Sequence, residues 1–237
     1  MTDSKTVVEP PPDLRGTFPP LDRLIECFAT ATTEVTGPLF RAAYVSESVL
    51  PTKIRKVYRF GPPEALLLPD GQKPFWWLYA APLAETAIWE ARFCLNDVTQ
   101  AGTYYFDESA VKQGIVAELR FPRTLRLWDL NGSAASRLGI YDQLSSPDYE
   151  WCQWFGHYMD LAILATDEAI RPDGFVYPSR RHRGHAAIAI SSRALLALRD
   201  GVIRTDTPFA EHADYGRMLR DKLRIGQPAS DAPIEGR

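Results

Sequence analysis

The sequence predicts an α+β fold, because strand-like and helical segments follow one another without the regular alternation that builds a parallel βαβ sheet. Short apolar stretches rich in aromatic and β-branched residues are typical of strands, and one long segment repeats its apolar side chains at helical spacing. The 237 residues are 45% hydrophobic and 24% charged. That composition is sufficient for one domain with a buried core.

Residues 1–37 are predicted to be an N-terminal extension with one helix. Residues 1–20 are rich in proline and polar side chains, which favours a loosely structured lead-in. Asp22 can cap a helix that runs to Thr33 and whose apolar side chains share one face. The Gly-Pro pair at 37–38 then ends this helix.

After this extension, strands and helices follow each other irregularly. Strands are expected at residues 39–45, 56–60, 75–79, 103–106, 114–121, 125–129, 175–177 and 186–191. A helix should begin near Pro82, because proline suits the first helical turn, and should continue to about Leu95. The most regular helical pattern covers residues 147–169.

Residues 193–237 are predicted to be a C-terminal helical tail, with a helix near residues 215–223. The last four residues, 234–237, match a protease recognition site that is often added to recombinant proteins. These four residues are therefore interpreted as a cloning remnant and predict no function of their own.

Charge and cysteine content exclude several classes of protein. The net charge of −3 gives no overall field that would attract nucleic acid or anionic lipid. Cys27, Cys94 and Cys152 lack CxxC spacing and lie in apolar patterns, which predicts free, buried thiols in a reducing cytoplasm. The start of the chain has no signal region, and no apolar stretch approaches the roughly 20 residues of a membrane helix. A cytoplasmic protein without a membrane partner is expected.

Common nucleotide, hydrolase and metal motifs do not occur in the sequence. No GxGxxG follows a strand, no GxxxxGK[ST] is present, and Ser179 does not lie in a GxSxG elbow. His182 and His185 lie among arginines and have no cysteine or carboxylate at ligand spacing. No metal ion is therefore predicted.

Two arginines and one glutamate interrupt the expected patterns. Arg41 and Arg59 lie within apolar or aromatic strand-like stretches. A half-buried guanidinium needs a partner, and a salt bridge to a core carboxylate and a contact to an anionic ligand remain equally open. Glu90 flanks the buried stripe of its helix, whereas Glu85 falls further toward solvent. That difference favours Glu90 as a site residue, with a solvated helix carboxylate as the alternative.

Tyr79 and Ser179 complete the candidate site. Aromatic residues in strands usually pack in the core, so Tyr79 is either a packing residue or an aromatic face for a base. Ser179 precedes the basic residues 180–183, which are interpreted as a solvated loop, a phosphate contact or a nucleic-acid contact. Guanidinium groups for phosphate, an aromatic ring, a hydroxyl and a carboxylate together suit a phosphorylated ribose.

The order of these residues resembles the RES domain family, which is named for its Arg, Glu and Ser. The matching stretches are Arg41, Arg59-Phe60-Gly61, residues 78–90 and residues 174–179. The resemblance covers roughly residues 38–191, and residues 38–192 are therefore predicted to be the RES catalytic domain.

The resemblance implies a fold akin to ADP-ribosyltransferase toxins, with a split mixed or antiparallel sheet and flanking helices. It implies that NAD is the substrate and that its nicotinamide–ribose bond is cleaved by hydrolysis or by phosphorolysis with inorganic phosphate. It also implies a toxin of a bacterial toxin–antitoxin pair, which would meet nucleic acid only through its antitoxin. One alternative is a protein ADP-ribosyltransferase that uses NAD, and a non-enzymatic nucleic-acid-binding module is a more distant one.

The resemblance also implies a role for each candidate residue. Glu90 would stabilise the positive charge that develops on the ribose, as carboxylates do in glycoside cleavage. Arg41 and Arg59 would bind the pyrophosphate or an attacking phosphate with forked donors that lysine lacks. Tyr79 would border the nicotinamide, and Ser179 would hydrogen-bond the ribose or the nicotinamide amide. Glu90, Arg41 and Ser179 are thus the expected catalytic residues, and Arg59 and Tyr79 the expected substrate-binding residues.

Overall fold

The computed structural model describes residues 8–228, which form an α+β fold. The helices are α1 (Leu21–Ala29), α2 (Ala84–Glu90), α3 (Glu108–Gln113), α4 (Ser133–Arg137), α5 (Tyr141–Ser145), α6 (Tyr149–Ala165), α7 (Ser192–Leu198) and α8 (Ala213–Met218). The strands are β1 (Thr32–Val35), β2 (Leu39–Ala43), β3 (Trp77–Ala80), β4 (Cys94–Asn96), β5 (Tyr104–Phe106), β6 (Ile115–Arg120), β7 (Leu125–Asp129), β8 (Gly174–Pro178), β9 (Ala186–Ser191) and β10 (Ile203–Pro208).

The larger sheet has five strands in the order β1-β7-β8-β9-β3. Strands β7 and β8 run parallel, and the other neighbouring pairs are antiparallel. A parallel pair needs a crossover connection, and α4, α5 and α6 lie in the chain between β7 and β8. Side chains of α1, α6 and this sheet form one buried apolar cluster. That packing fixes the end of β8, which Ser179 follows directly.

The smaller sheet has the order β10-β6-β2 and is antiparallel throughout. It meets the larger sheet just beyond β3, where the N–H of Phe40 donates to the carbonyl of Ala81 at 2.7 Å and the N–H of Ala81 donates back at 2.8 Å. The junction therefore lies beside Arg41 on β2 and Tyr79 on β3. The predicted fold class, α+β with a split mixed and antiparallel sheet and flanking helices, is confirmed.

Helix α2 is shorter than the sequence predicted. It ends at Glu90, and Arg92 adopts a positive φ of 63°. A residue in this left-handed region commonly ends a helix. The predicted continuation to about Leu95 is therefore wrong, and Cys94 lies in β4 rather than in a helix. The early end places Glu90 in the last turn, at the margin of the helix.

Both terminal segments contain a strand that the sequence did not predict. Helix α1 ends at Ala29 rather than at Thr33, and β1 then pairs with β7. The predicted C-terminal helical tail contains β10, which pairs along β6, as well as α7 and α8. These strands gain their stability from distant partners, so local propensity is a poor guide to them. The segment 234–237 lies outside the described residues.

The turn that carries Arg59 lies directly against α6. Residues 56–60 were predicted as a strand. The chain instead forms a turn here, in which the N–H of Gly61 donates to the carbonyl of Tyr58 at 2.9 Å. A Cβ added to Gly156 on α6 would lie 1.9 Å from the carbonyl oxygen of Phe60. Only glycine permits this approach, so a backbone contact holds Arg59 beside α6.

We predict that Gly156→Ala lowers the free energy of unfolding by about 1–3 kcal/mol or more, because the added methyl group collides with backbone that cannot rotate away. Chemical denaturation of both proteins measures the difference. Gly216→Ala is the matched control, since a Cβ at Gly216 in α8 has no neighbour within 4 Å. The control should be unchanged or more stable by about 0.5–1 kcal/mol. Equal stability of Gly156→Ala and the unsubstituted protein would contradict the contact.

Candidate active site

The carboxylate of Glu90 is held by two hydroxyl groups from the end of β8. The Oγ of Ser179 donates to Glu90 Oε1 at 2.6 Å, and the phenol of Tyr177 donates to Oε2 at 3.4 Å. Tyr177 and Ser179 are two residues apart along an extended chain, so their side chains point to the same side. Each oxygen of the Glu90 carboxylate therefore has a protein donor, and the side chain remains partly exposed.

Both donors to Glu90 are buried and stay protonated. Ser179 is 4% exposed and Tyr177 is 1% exposed. Burial raises the pKa of Tyr177 well above its usual value, and the nearby charge of Glu90 raises it further. The phenol is thus a fixed donor at neutral pH. Ser179 Oγ also accepts the backbone N–H of His182 at 2.9 Å.

The guanidinium of Arg41 binds main-chain carbonyls instead of a carboxylate. Its Nε donates to the carbonyl of Ser48 at 3.0 Å, and its Nη1 donates to the carbonyl of Tyr79 at 2.6 Å. Burial lowers the pKa of Arg41, while the neighbouring tyrosines act in the opposite direction. Within residues 8–228, Arg41 makes no ion pair with an acidic residue. Of the two alternatives left open by the sequence, the core salt bridge is therefore not found for Arg41 among these residues.

Arg59 is still more enclosed, at 9% exposure. Its Nη2 donates to the carbonyls of Leu144 and Ser146, the latter at 3.1 Å, and its Nε lies 3.2 Å from the sulfur of Cys152. Burial raises the pKa of Cys152 more than the arginine lowers it, so the thiol is neutral. In the part of the chain that is described, no carboxylate lies within 4.0 Å of Arg59. A buried cation without an anion is unfavourable, and carbonyl oxygens are the partners that Arg59 has in place of a carboxylate.

Tyr79 connects the two arginines to the carboxylate. Its carbonyl binds Arg41, and its phenol oxygen accepts the N–H of Phe60, next to Arg59, at 2.9 Å. Its ring lies edge-on to that of Tyr177, with centroids 6.3 Å apart. Burial raises the pKa of Tyr79, so the phenol is neutral. The five predicted site residues are therefore joined by direct contacts or through one neighbour.

Sequence reasoning missed several residues that the structure places in this site. Tyr177 was read only as part of the Tyr-Pro-Ser stretch, yet its two-residue spacing from Ser179 was a visible signal. The loop after Ser179 was read as mainly solvated, but Arg181 is half-buried and the charge of Glu90 acts on it. Burial lowers the pKa of Arg181, and nearby arginines lower it further. Among the described residues Arg181 has no hydrogen-bond or ion-pair partner.

Over residues 8–228, no three His, Cys, Asp or Glu side chains are grouped closely enough to hold a metal ion. Across that same range, every helix is too short or too polar to cross a bilayer.

Comparison with known proteins gives the class of domain. The RES domain model matches residues 54–210, which is well over half of the chain, and the chain belongs to the RES domain family. Among solved structures, one chain of the crystal structure of the M. tuberculosis MbcT-MbcA toxin-antitoxin complex is similar, with a TM-score of 0.51 and 18% identity. The alignment covers 79% of this chain and 94% of that chain, and it shows a shared fold. The comparison with curated proteins gave no match.

We predict that pyrophosphate stabilises the protein by binding to the guanidinium groups of Arg41 and Arg59. At about ten times its dissociation constant it should add about 1.4 kcal/mol, which raises the thermal midpoint by about 3–6 °C. Thermal unfolding in pyrophosphate is compared with chloride at equal ionic strength. Arg41→Gln should lose most of the shift, whereas Arg204→Gln should keep it, since Arg204 already pairs with Asp206. An equal shift in the unsubstituted protein, Arg41→Gln and Arg204→Gln would show that pyrophosphate binds away from Arg41.

Proposed function

We propose that this protein is a toxin that degrades NAD by cleaving the bond between nicotinamide and ribose. The observation that carries the proposal is the Glu90 carboxylate, which Ser179 holds at 2.6 Å. Contacts through Tyr79 and Tyr177 connect it to Arg41 and Arg59, whose guanidinium groups have no acidic partner among the described residues. A dinucleotide supplies what these groups lack, namely two phosphate charges and a ribose that becomes cationic as its bond breaks. Membership of the RES domain family agrees with this assignment.

The proposed reaction needs charge stabilisation more than acid catalysis. Nicotinamide leaves NAD as a neutral molecule and takes both electrons of its bond to C1′, so the ribose carbon becomes cationic. The carboxylate of Glu90, aimed beforehand by Ser179 and Tyr177, stabilises this charge without having to reorganise. An oxygen of water then bonds to C1′ and releases one proton to solvent, or an anionic oxygen of inorganic phosphate bonds to C1′ with no proton to release.

The arginines have the second role in this proposal. The pyrophosphate of NAD is attracted by the guanidinium charges of Arg41 and Arg59 and binds to the nitrogens that do not already donate to protein acceptors, which places the ribose beside Glu90. Arg181 lies near Glu90 and adds a third guanidinium that an incoming anion can reach. Tyr79 borders the base while its own phenol stays bound to the Phe60 N–H. Ser179 acts on Glu90 in this scheme, rather than on the ribose as first expected.

The partner we propose is a cognate antitoxin. The similar solved structure is named as a toxin-antitoxin complex. An enzyme that consumes cytoplasmic NAD has to be held inactive in its own cell, and a protein that covers the cleft does this most directly. An acidic side chain or chain terminus is the group that Arg41 and Arg59 would bind in place of pyrophosphate.

We predict that Glu90→Gln lowers the turnover of NAD by about 10²–10³-fold, because one charged group that stabilises the transition state is lost. NAD binding and the thermal midpoint should remain close to those of the unsubstituted protein. Mass spectrometry of the products, with and without inorganic phosphate, measures turnover and identifies the acceptor.

Glu108→Gln is the control, since Glu108 makes only an exposed ion pair with Lys112 on α3. That variant should turn over NAD normally. Undiminished turnover by Glu90→Gln would remove Glu90 from the mechanism. ADP-ribose retained on a protein, rather than released, would favour the transferase alternative.

We predict that Arg41→Lys is nearly as inactive as Arg41→Ala. Lysine keeps the charge but replaces the fork, which spans the carbonyls of Ser48 and Tyr79, by a single point of donation. The ratio kcat/KM for NAD measures the effect, and both variants should fall by a similar factor. Full activity of the lysine variant would show that only the charge of Arg41 matters.

A further inference from the structure

We propose that His182 is a positioning residue, whose side chain ties the loop of residues 179–185 to α2 and so keeps the Ser179 hydroxyl directed at Glu90. This inference rests on the proposed function, because it explains how the carboxylate that acts on NAD is aimed. His182 does not contact the substrate in this scheme and acts only through Ser179.

The direction of the Ser179 hydroxyl follows from its two neighbours. Its Oγ lies 2.6 Å from Glu90 Oε1 and 2.9 Å from the backbone nitrogen of His182. An amide N–H can only donate, so it occupies a lone pair of the serine oxygen. The single hydroxyl hydrogen is therefore free to go to the carboxylate. A serine in the same place without this amide could direct its hydrogen elsewhere.

The side chain of His182 is held by α2, the helix that carries Glu90. Its Nδ1 lies 2.9 Å from the hydroxyl oxygen of Thr86, which is fully buried. Thr86 precedes Glu90 by four residues, so both lie on one side of α2. Burial and the neighbouring His185 lower the pKa of His182, which makes the ring neutral at pH 7. One residue thus contacts Ser179 with its backbone and the Glu90 helix with its side chain.

The loop itself behaves as one unit. The N–H of Ser179 donates to the carbonyl of His185 at 2.8 Å, and the N–H of His185 donates to the carbonyl of His182 at 3.2 Å. Gly184 adopts a φ of +84°, which allows the chain to turn back so that His185 lies beside Ser179. The imidazole of His182 stacks on that of His185, with centroids 4.0 Å apart. A change in the link between His182 and Thr86 therefore moves the whole loop, including the Ser179 hydroxyl.

The test is a double-mutant cycle with His182→Ala, Thr86→Val and the two combined. Each single variant should lower kcat for NAD by about 10–100-fold with a smaller change in KM, because a misplaced carboxylate affects the transition state most. The double variant should lose no more than His182→Ala alone, since that variant already removes the bond to Thr86 together with the contacts of the ring to Glu85 and Trp89. His182→Asn should recover most of kcat, because its amide reaches the position of Nδ1. Thr166→Val is the control, as it removes a buried hydroxyl that binds only Ala162.

Amide hydrogen exchange gives a readout that does not depend on activity. The amides of Ser179 and His182 should exchange faster in both single variants, and those of β9 should not change. Unchanged kcat and unchanged exchange in His182→Ala would overturn the proposal, and so would additive losses in the double variant. If the unsubstituted protein does not consume NAD, the proposed function fails, and the exchange data alone decide whether His182 positions the loop.

Discussion

The hydrogen bond from Ser179 Oγ to Glu90 Oε1 is the interaction on which the rest of the site depends. At 2.6 Å it has the length of a hydrogen bond strengthened by the charge of its acceptor. It joins the last turn of α2 to the end of β8, two elements that lie far apart in the sequence. The carboxylate is thereby oriented by the fold itself, before any ligand arrives.

The distribution of charge around that carboxylate gives the site its chemistry. The protein as a whole has a net charge of −3. The site nevertheless contains the guanidinium groups of Arg41 and Arg59, which bind carbonyls and have no acidic partner within residues 8–228. Such an arrangement lowers stability in the free protein and is repaid when an anion binds. Under the proposed function, that anion is the pyrophosphate of NAD or an acidic group of the antitoxin.

The sequence predicted the central sheet strands and the site residues better than the ends of the elements. Helical periodicity favoured Glu90 over Glu85 only modestly, and the family resemblance supported the choice; the Glu90 side chain contacts Tyr177 and Ser179, while Glu85 pairs with Arg217. Arg59 was assigned to a strand because its neighbours are aromatic and β-branched. That segment is instead a turn, and the backbone of Phe60 packs closely against Gly156. Such a contact between distant segments cannot be predicted from the residues next to Arg59.

The same limit applies to the parts of the fold that were missed. Strands β1 and β10 pair with β7 and β6, and their own residues do not reveal those partners. His182 was interpreted as part of a solvated basic loop. Its hydrogen-bond partner Thr86 lies 96 residues earlier in the chain, so the sequence around His182 does not reveal this contact. Residue types and the family resemblance were thus enough to choose candidate site residues, whereas the contacts that position them required the tertiary structure.

The most direct test is a crystal structure of the Glu90→Gln variant with intact NAD. We expect the pyrophosphate on the guanidinium groups of Arg41 and Arg59, and C1′ of the nicotinamide ribose facing the side chain at position 90. NAD bound with its ribose remote from position 90, or with its phosphates in solvent away from both arginines, would contradict the proposed active site.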